Sequence, residues 1–427
     1  MNRKSFVLSG ALLLGGASAV ICAPLVSKAQ SSPAVNSQQE FDKVFGAQTD
    51  ANILNTVGHA FDNQHARLFW FTDLEAAKRQ AKAEGKPILS LRLLGKLSDE
   101  YSCANSRFFR VLLYANTQIN PILRDKFILH WSSERPVPVM TIDFGDGRKI
   151  KQTMTGNSAH YLLDETGRPL DVLPGLYSPQ DFQKWLVNSE DLANDWKNSA
   201  AETREANLKQ WHKKRISNLW SQTLGAGKNE KWVQQQTEST LKDSPLLASK
   251  VKVVEVTIPA DRPARLAFTK GAGERPLLSA TTLFASSRRN DGWAWGGQTE
   301  TPIKLDDETK ARIKAMNPRL SASKTAELQN NAPRIQQIQS TTAPRKTTSF
   351  DAMIQNLENS VTVDTAANKF GMEIPIHALF AHGQEGDFTS LNRKIYDTLF
   401  LTPKSDPYLG LASDNVFTGL QNGGIVE

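Results

Sequence analysis

The stretch SDEYSCANSRFF, residues 98–109, carries Cys103, and the only other cysteine of the 427-residue chain is Cys22. A thiol has three chemistries open to it. As a thiolate it attacks disulfides, beside imidazoles it ligates copper or zinc, and protonated it packs as a small apolar group. The flanking Asp99, Glu100, Asn105 and Arg107 favour exposure, whereas the general habit of free cysteine favours burial. Both readings stay open. His130 and His160 lie on segments that one shared fold would bring towards Cys103, so Cys103, His130 and His160 form a secondary candidate metal set. No close ligand spacing such as His-x-x-x-His supports it, and no cofactor is expected. His377 and His382 flank a helix end and read as surface residues.

The chain opens MNRKSFVLSGALLLGGASAVICAPLVSKAQSS. Arg3 and Lys4 form a basic start, Phe6 to Val26 is nearly uncharged, and Ser27-Lys28-Ala29 supplies small residues at a cleavage site. That is the order of a secretory signal, expected to end at Ala29. The alternatives are an uncleaved anchor, for which Gly, Ala and Ser are too frequent, and a lipid-modified Cys22, against which Ile21 stands where a small residue belongs. Cleavage leaves Cys103 as the one thiol of a periplasmic or secreted protein. No intramolecular disulfide is then possible, so a stapled scaffold is excluded. Removing Arg3, Lys4 and Lys28 takes the formal charge from +7 to +4, which gives nucleic-acid binding little support. The expected partner is a client or partner protein, with membrane contact only through an uncleaved signal segment.

Other catalytic signatures are missing. There is no Gly-x-Ser-x-Gly elbow, no His-Glu-x-x-His and no phosphate loop. The string DFGDG at 143–147 reads as a hairpin turn.

The elements that must position Cys103 follow from the pattern around it. Asp73 is placed to cap a helix from Leu74 to Ala83, Gly85 to end it and Pro87 to prevent its continuation. Ile88–Leu94 is an almost wholly apolar run, as a strand buried on both faces would be. The segment from Arg107 to Ile122 reads as helical, Lys126–Trp131 as a strand, and residues 137–155 as a hairpin folded at Gly145-Asp146-Gly147. Two further strands, Ala159–Leu163 and Leu170–Pro174, are joined at Thr166-Gly167, and Ser178 with Pro179 opens a closing helix. The four strands outside the hairpin should share one sheet with helices on both faces, a parallel pair first and an antiparallel pair last.

This order resembles the thioredoxin fold over about residues 68–187. The segment DLEAAKRQAKAEGKPILSL is similar to the lead-in of bacterial thioredoxin-like domains, where Lys-Pro precedes the central strand. YLLDETGRPLDVLPGLYSPQDFQKWL is similar to their strand, Asp-x-x-Gly turn, strand, Gly and final helix. The resemblance implies that CANS is a Cys-x-x-Ser variant of the family's Cys-x-x-Cys site, with Cys103 and Ser106 in the reactive positions and Arg107, Asn157, Ser158 and His160 lining them. A helix start stabilises a thiolate. Ser106 could donate a hydrogen bond to it but cannot form a resolving disulfide, so Cys103 is limited to monothiol exchange, isomerisation or client capture. Ser158 stands where the family's cis-proline would face the cysteine, and the loop from Gly95 to Cys103 is longer than usual.

Beyond Val187 the chain is charged and alanine-rich. Leu192, Trp196, Ala200, Leu208, Trp211, Ile216 and Leu219 approximate one helical stripe, and Trp232 to Leu241 suggests a companion helix. VKVVEVTIP alternates like a strand, and NDGWAWGG is a loop whose Trp293 and Trp295 could make an aromatic contact. The expected class is α/β: a thioredoxin-like three-layer domain, then a mainly helical C-terminal region with a small β/loop segment. The expected divisions are 1–29 signal peptide, 30–66 flexible leader, 67–188 thioredoxin-like domain, 189–245 helical, 246–310 β/loop-rich and 311–427 helical with a linker near 331–348. The leading functional expectation is an exported protein handling thiols or binding clients through Cys103. A non-catalytic scaffold or interaction protein is the alternative, and a periplasmic metal-binding protein a further one.

Overall fold

Ile88–Leu94, strand β1, sits inside a four-stranded sheet in a computed structural model that describes residues 35–153, 156–222, 230–244, 246–247, 303–317, 349–400, 402–409 and 425. Its other members are β2 (Ile128–Arg135), β5 (Ser158–Leu163) and β6 (Pro169–Pro174), in the order β2–β1–β5–β6. β1 and β2 run parallel, whereas β5 is antiparallel to both β1 and β6. β3 (Val139–Asp143) and β4 (Lys149–Thr153) form a separate hairpin. The sheet and the hairpin agree with the sequence-based expectation, and the protein is of mixed α/β class. The signal segment, Cys22, the strand at 251–259, Trp293, Trp295 and the linker near 331–348 lie outside the described residues.

Most of the sheet is buried on both faces because its strands are dominated by apolar residues. All six residues of β5 and all six of β6 are buried. Successive side chains alternate between faces. Ser90, His130, Tyr161 and Val172 therefore share one face, and Leu91, His160, Leu162 and Asp171 the other. The β5–β6 turn is closed by Asp164, whose Oδ1 accepts from the backbone N–H of Thr166 and Arg168 at 2.9 and 3.0 Å.

Three short helices precede the sheet: α1 (Gln38–Val44), α2 (Ala51–Val57) and α3 (Asn63–Ala66). Within the leader expected over 30–66, the described residues from 35 onward are helical and packed. Phe41 and Leu54 are fully enclosed, and the Asn63 amide donates to the carbonyls of Leu54 and Leu68 at 3.1 and 2.9 Å, tying the segment down. α4 (Leu74–Glu84) is capped by Asp73 and ended by Gly85, as its signals dictate. After β1 come α5 (Ala104–Phe108), a π-helical turn (Phe109–Tyr114) and α6 (Asn120–Lys126). The helical run expected from Arg107 to Ile122 is thus broken at 115–119, where Asn116 Oδ1 accepts from Gln118 and Ile119 instead.

α7 (Pro179–Asn198), α8 (Ala201–Gln222) and α9 (Glu230–Asp243) follow β6. The expected single stripe through residue 219 is divided at Ser199, whose extended backbone closes α7 while its hydroxyl donates to Asp195 O at 2.7 Å. The expected boundary at 188/189 falls inside α7, and that at 310/311 inside α10 (Asp307–Met316). α11 (Ser349–Asn368), a π-helical turn (Lys369–Glu373), α12 (Ile374–Ala381), α13 (Phe388–Lys394) and a last π-helical turn (Ile395–Leu399) complete the described chain. The described residues from Asn36 onward belong to one unit. The C-terminal helices provide the sheet's second cover: Phe388 packs edge-on against Tyr161, and the Tyr161 hydroxyl donates to Asn392 at 2.9 Å. α7 covers the other face through Phe182 and Trp185, both near the His160 ring. Among the described residues no helix is long and apolar enough to cross a membrane.

Candidate functional site

Cys103 is the N-cap of α5, and its N–H donates to Leu94 O at 3.1 Å, so the end of β1 fixes the helix start. Its side chain is fully buried. Sγ lies 3.5 Å from Ser106 Oγ with the thiol as donor. The Ser106 hydroxyl is directed elsewhere, to Cys103 O at 2.8 Å or Ser102 Oγ at 2.7 Å. This corrects the expected hydrogen bond from Ser106 to the sulfur. The loop before Cys103 is held from within. Arg110 Nη1 donates to Leu97 O, Asp99 O and Ser102 Oγ at 2.9, 2.9 and 3.3 Å, and Nη2 donates to Glu100 O at 3.2 Å. Burial lowers the Arg110 pKa to about 10, still far enough above neutrality to leave it charged. Arg107 donates to Thr153 Oγ1 at 2.9 Å, which fastens the hairpin over the same loop.

The other expected lining residues divide. Ser158 is buried in β5 opposite Leu93, one residue before the carbonyl that holds Cys103. Asn157, next to it, faces the C-terminal segment: Nδ2 donates to Phe400 O and Thr402 Oγ1 at 3.4 and 3.3 Å, and the Tyr396 hydroxyl donates to Asn157 O at 3.5 Å. Tyr396, Phe400 and Thr402 of the chain itself thus occupy the edge where a client was expected. His160 shares a 2.7 Å hydrogen bond with the Tyr114 hydroxyl, and its ring lies 4.6 Å from that of Phe109. Burial lowers its pKa to about 3.

His130 does not join them. It is paired with Ser90 in the sheet and bonds to Ser90 Oγ at 2.8 Å on one face, whereas His160, paired with Leu91, points to the other. Burial lowers its pKa to about 4, with Arg92 adding to the effect. The candidate metal set of Cys103, His130 and His160 is therefore divided by the sheet itself.

A different cluster, missed in the sequence, lies at the β6 edge. It combines Asp171 of β6, His212 of α8 and His377 of α12, with Glu373 one turn before His377. His377 is 1 % exposed, which corrects its reading as a surface residue, while His382 is exposed. The two imidazoles meet Nδ1 to Nδ1 at 2.9 Å. His377 Nδ1 is 3.6 Å from Asp171 Oδ1, and His377 Nε2 is 3.6 Å from Glu373 Oε2. His212 Nε2 lies 2.9 Å from Leu170 O, a group that only accepts. His212 must therefore carry its proton on Nε2 and present a lone pair at Nδ1. Trp185 Nε1 donates to Asp171 Oδ2 at 2.9 Å, and Arg215 reaches Glu373 at 3.3 Å. Burial raises the Asp171 pKa to about 7 and raises that of Glu373, and it lowers both histidines well below the usual imidazole value. Two signals were legible: Asp171 interrupts the apolar strand PLDVLP, and His377 interrupts the apolar helix IPIHALFA.

No family model matches the chain, and neither a curated protein nor a solved structure matches it.

Proposed function

We propose that this chain is an exported thioredoxin-like protein in which the fold serves as a non-catalytic scaffold and Cys103 is part of its packing. The burial of Cys103 carries the reading. Thiol–disulfide exchange requires an outside sulfur to approach the attacking thiolate, and a fully enclosed sulfur offers no such approach. The fold assignment is supported by the strand order β2–β1–β5–β6, a cysteine at the first helix after β1, and the Asp164–Gly167 turn before β6. Export rests on Arg3, Lys4 and the apolar run that follows them, with a periplasmic or secreted location as its consequence.

One observation favours a second reading, monothiol exchange with a client protein. The cover at Asn157 is the chain's own segment, held by Tyr396, Phe400 and Thr402, and its departure would open the edge beside Ser158. Alkylation separates the two readings. On the scaffold reading native wild-type protein labels at Cys103 only after denaturation, and Ser106→Cys gains no dithiol exchange. Rapid native labelling abolished by Cys103→Ser, with accumulation of mixed disulfides, would replace the scaffold reading by the second.

A further inference from the structure

The cluster at the β6 edge has a specific electrostatic defect. With His212 protonated at Nε2, the short contact between the two Nδ1 atoms requires His377 to donate from its own Nδ1. A neutral His377 then has a bare lone pair at Nε2, facing an acceptor, Glu373 Oε2, at 3.6 Å. Both His377 Nε2 and Asp171 Oδ1 are left without a hydrogen-bond partner, in residues that are each 1 % exposed. Unsatisfied polar atoms at such depth are uncommon and costly, on the order of 1–3 kcal/mol each.

We propose that Asp171, His212 and His377 form a buried site for one divalent transition-metal ion of the zinc class, which joins β6 to α8 and α12. The three residues each offer one ligand atom within 4.8 Å of the others, and the ion takes His212 Nδ1, His377 Nδ1 and Asp171 Oδ1. Ligands about 2.0–2.2 Å from a tetrahedral zinc are roughly 3.3 Å apart, and the two resolved separations, 2.9 and 3.6 Å, bracket that value. Binding moves the His377 proton from Nδ1 to Nε2, where Glu373 accepts it, and gives Asp171 Oδ1 its partner. Both orphaned atoms are satisfied in one step.

The surroundings are those of metal ligands. His212 hands its second ring N–H to Leu170 O, Asp171 Oδ2 is held by Trp185, and Glu373 is held by Arg215. Outer partners of this kind orient metal ligands and raise their basicity. Arg215 offsets one of the two carboxylates, so the pocket retains one net negative charge for the cation when both are ionised. Two imidazoles with a carboxylate suit zinc, cobalt or nickel better than calcium or magnesium. The three ligands come from three separate elements, so the ion acts as a brace between the sheet edge and the C-terminal helices.

The test uses full-length protein without a histidine tag, stripped with chelator and dialysed. It should take up about one equivalent of Zn²⁺, show a raised Tm, and develop visible d–d bands with Co²⁺. Asp171→Asn, which keeps the side-chain volume, and His377→Gln should each weaken Co²⁺ binding at least tenfold while the far-UV spectrum stays native. If a variant fails to fold, the Co²⁺ titration of wild type still decides, because the bands report ligand type and coordination number. Stripped wild type that takes up neither ion and keeps its Tm overturns the site. So does uptake that survives in both variants.

Discussion

His212 and His377 stand 165 residues apart in the chain and touch through a pair of nitrogens 2.9 Å apart, with only one proton between them. The contact binds α8 to α12, and through Leu170 O it binds both to β6. The His212 ring also stacks on Phe380, with centroids 4.4 Å apart and planes within 15°. His212→Ala would leave Leu170 O and His377 unpaired and open a void beside Phe380. A cavity and two stranded buried groups together should cost about 4 kcal/mol. Urea unfolding of the metal-stripped protein measures this directly. A cost under about 1 kcal/mol would mean that the helices hold to the sheet without it.

The histidines of the sheet predict a pH dependence. His130 and His160 are neutral in the fold, with pKa values lowered from 6.5 to about 4 and about 3, chiefly by burial. The unfolded chain binds a proton that the folded chain refuses. The stabilising contribution is therefore complete above pH 6.5 and is lost as pH falls from there towards the folded values. Between pH 7 and 5 each histidine should withdraw about 2 kcal/mol of stability. Replacing His160 by Gln removes one titration, so the stability difference from wild type should shrink by about that amount over the same interval. Parallel curves for the two proteins would show that His160 takes up its proton as readily in the fold as in the unfolded chain.

The sheet was legible because its strands are mainly apolar runs and its punctuation is explicit: Asp73 and Gly85 around α4, Asp164 and Gly167 at the β5–β6 turn, Ser178 and Pro179 at the start of α7. The break at Ser199 was hidden, since no Gly or Pro marks it and the apolar stripe continues into α8. The depth of Cys103 was hidden for another reason. Asp99 and Glu100 are exposed as expected, but Asn105 and Ser106 point inward, and Arg110 spends its donors on backbone carbonyls of the loop. The cluster of Asp171, His212 and His377 has no local spacing to detect, because each ligand comes from a different element. Only the misplaced polarity of Asp171 and His377 within apolar runs hinted at it.

Gly175 tests how tightly the C-terminal helices are seated on the sheet. Its backbone has φ +85°, in the region that favours glycine, and an added Cβ would lie 2.4 Å from Asn368 Nδ2. That amide is not free to swing away, because it donates to Leu176 O at 2.8 Å and Asn368 is buried. Gly175→Ala combines left-handed strain of about 1 kcal/mol with loss of the Asn368 bond, for a total of about 2–3 kcal/mol. Adding Asn368→Ala should return part of the loss, since the second truncation removes the clash. Strict additivity of the two substitutions in a double-mutant cycle would sink this account.

Arg110 decides what keeps Cys103 enclosed. Its guanidinium stacks over Phe61 at 5.2 Å and places four donor contacts on Leu97, Asp99, Glu100 and Ser102, the loop that ends at the thiol. Arg110→Met keeps a long apolar stem but strands three buried or half-buried carbonyls, so it should cost about 3 kcal/mol and loosen the loop. Native alkylation of Cys103 should then rise at least tenfold over wild type at a temperature where both proteins remain folded. Arg110→Lys should fall between the two, because an ammonium keeps the charge but cannot span the same set of acceptors. If Arg110→Met loses stability while the thiol stays as slow as in wild type, the loop is not the barrier. The enclosure would then belong to the segment around Tyr396, and Asn157→Ala, which releases Phe400 and Thr402, should be the substitution that speeds labelling.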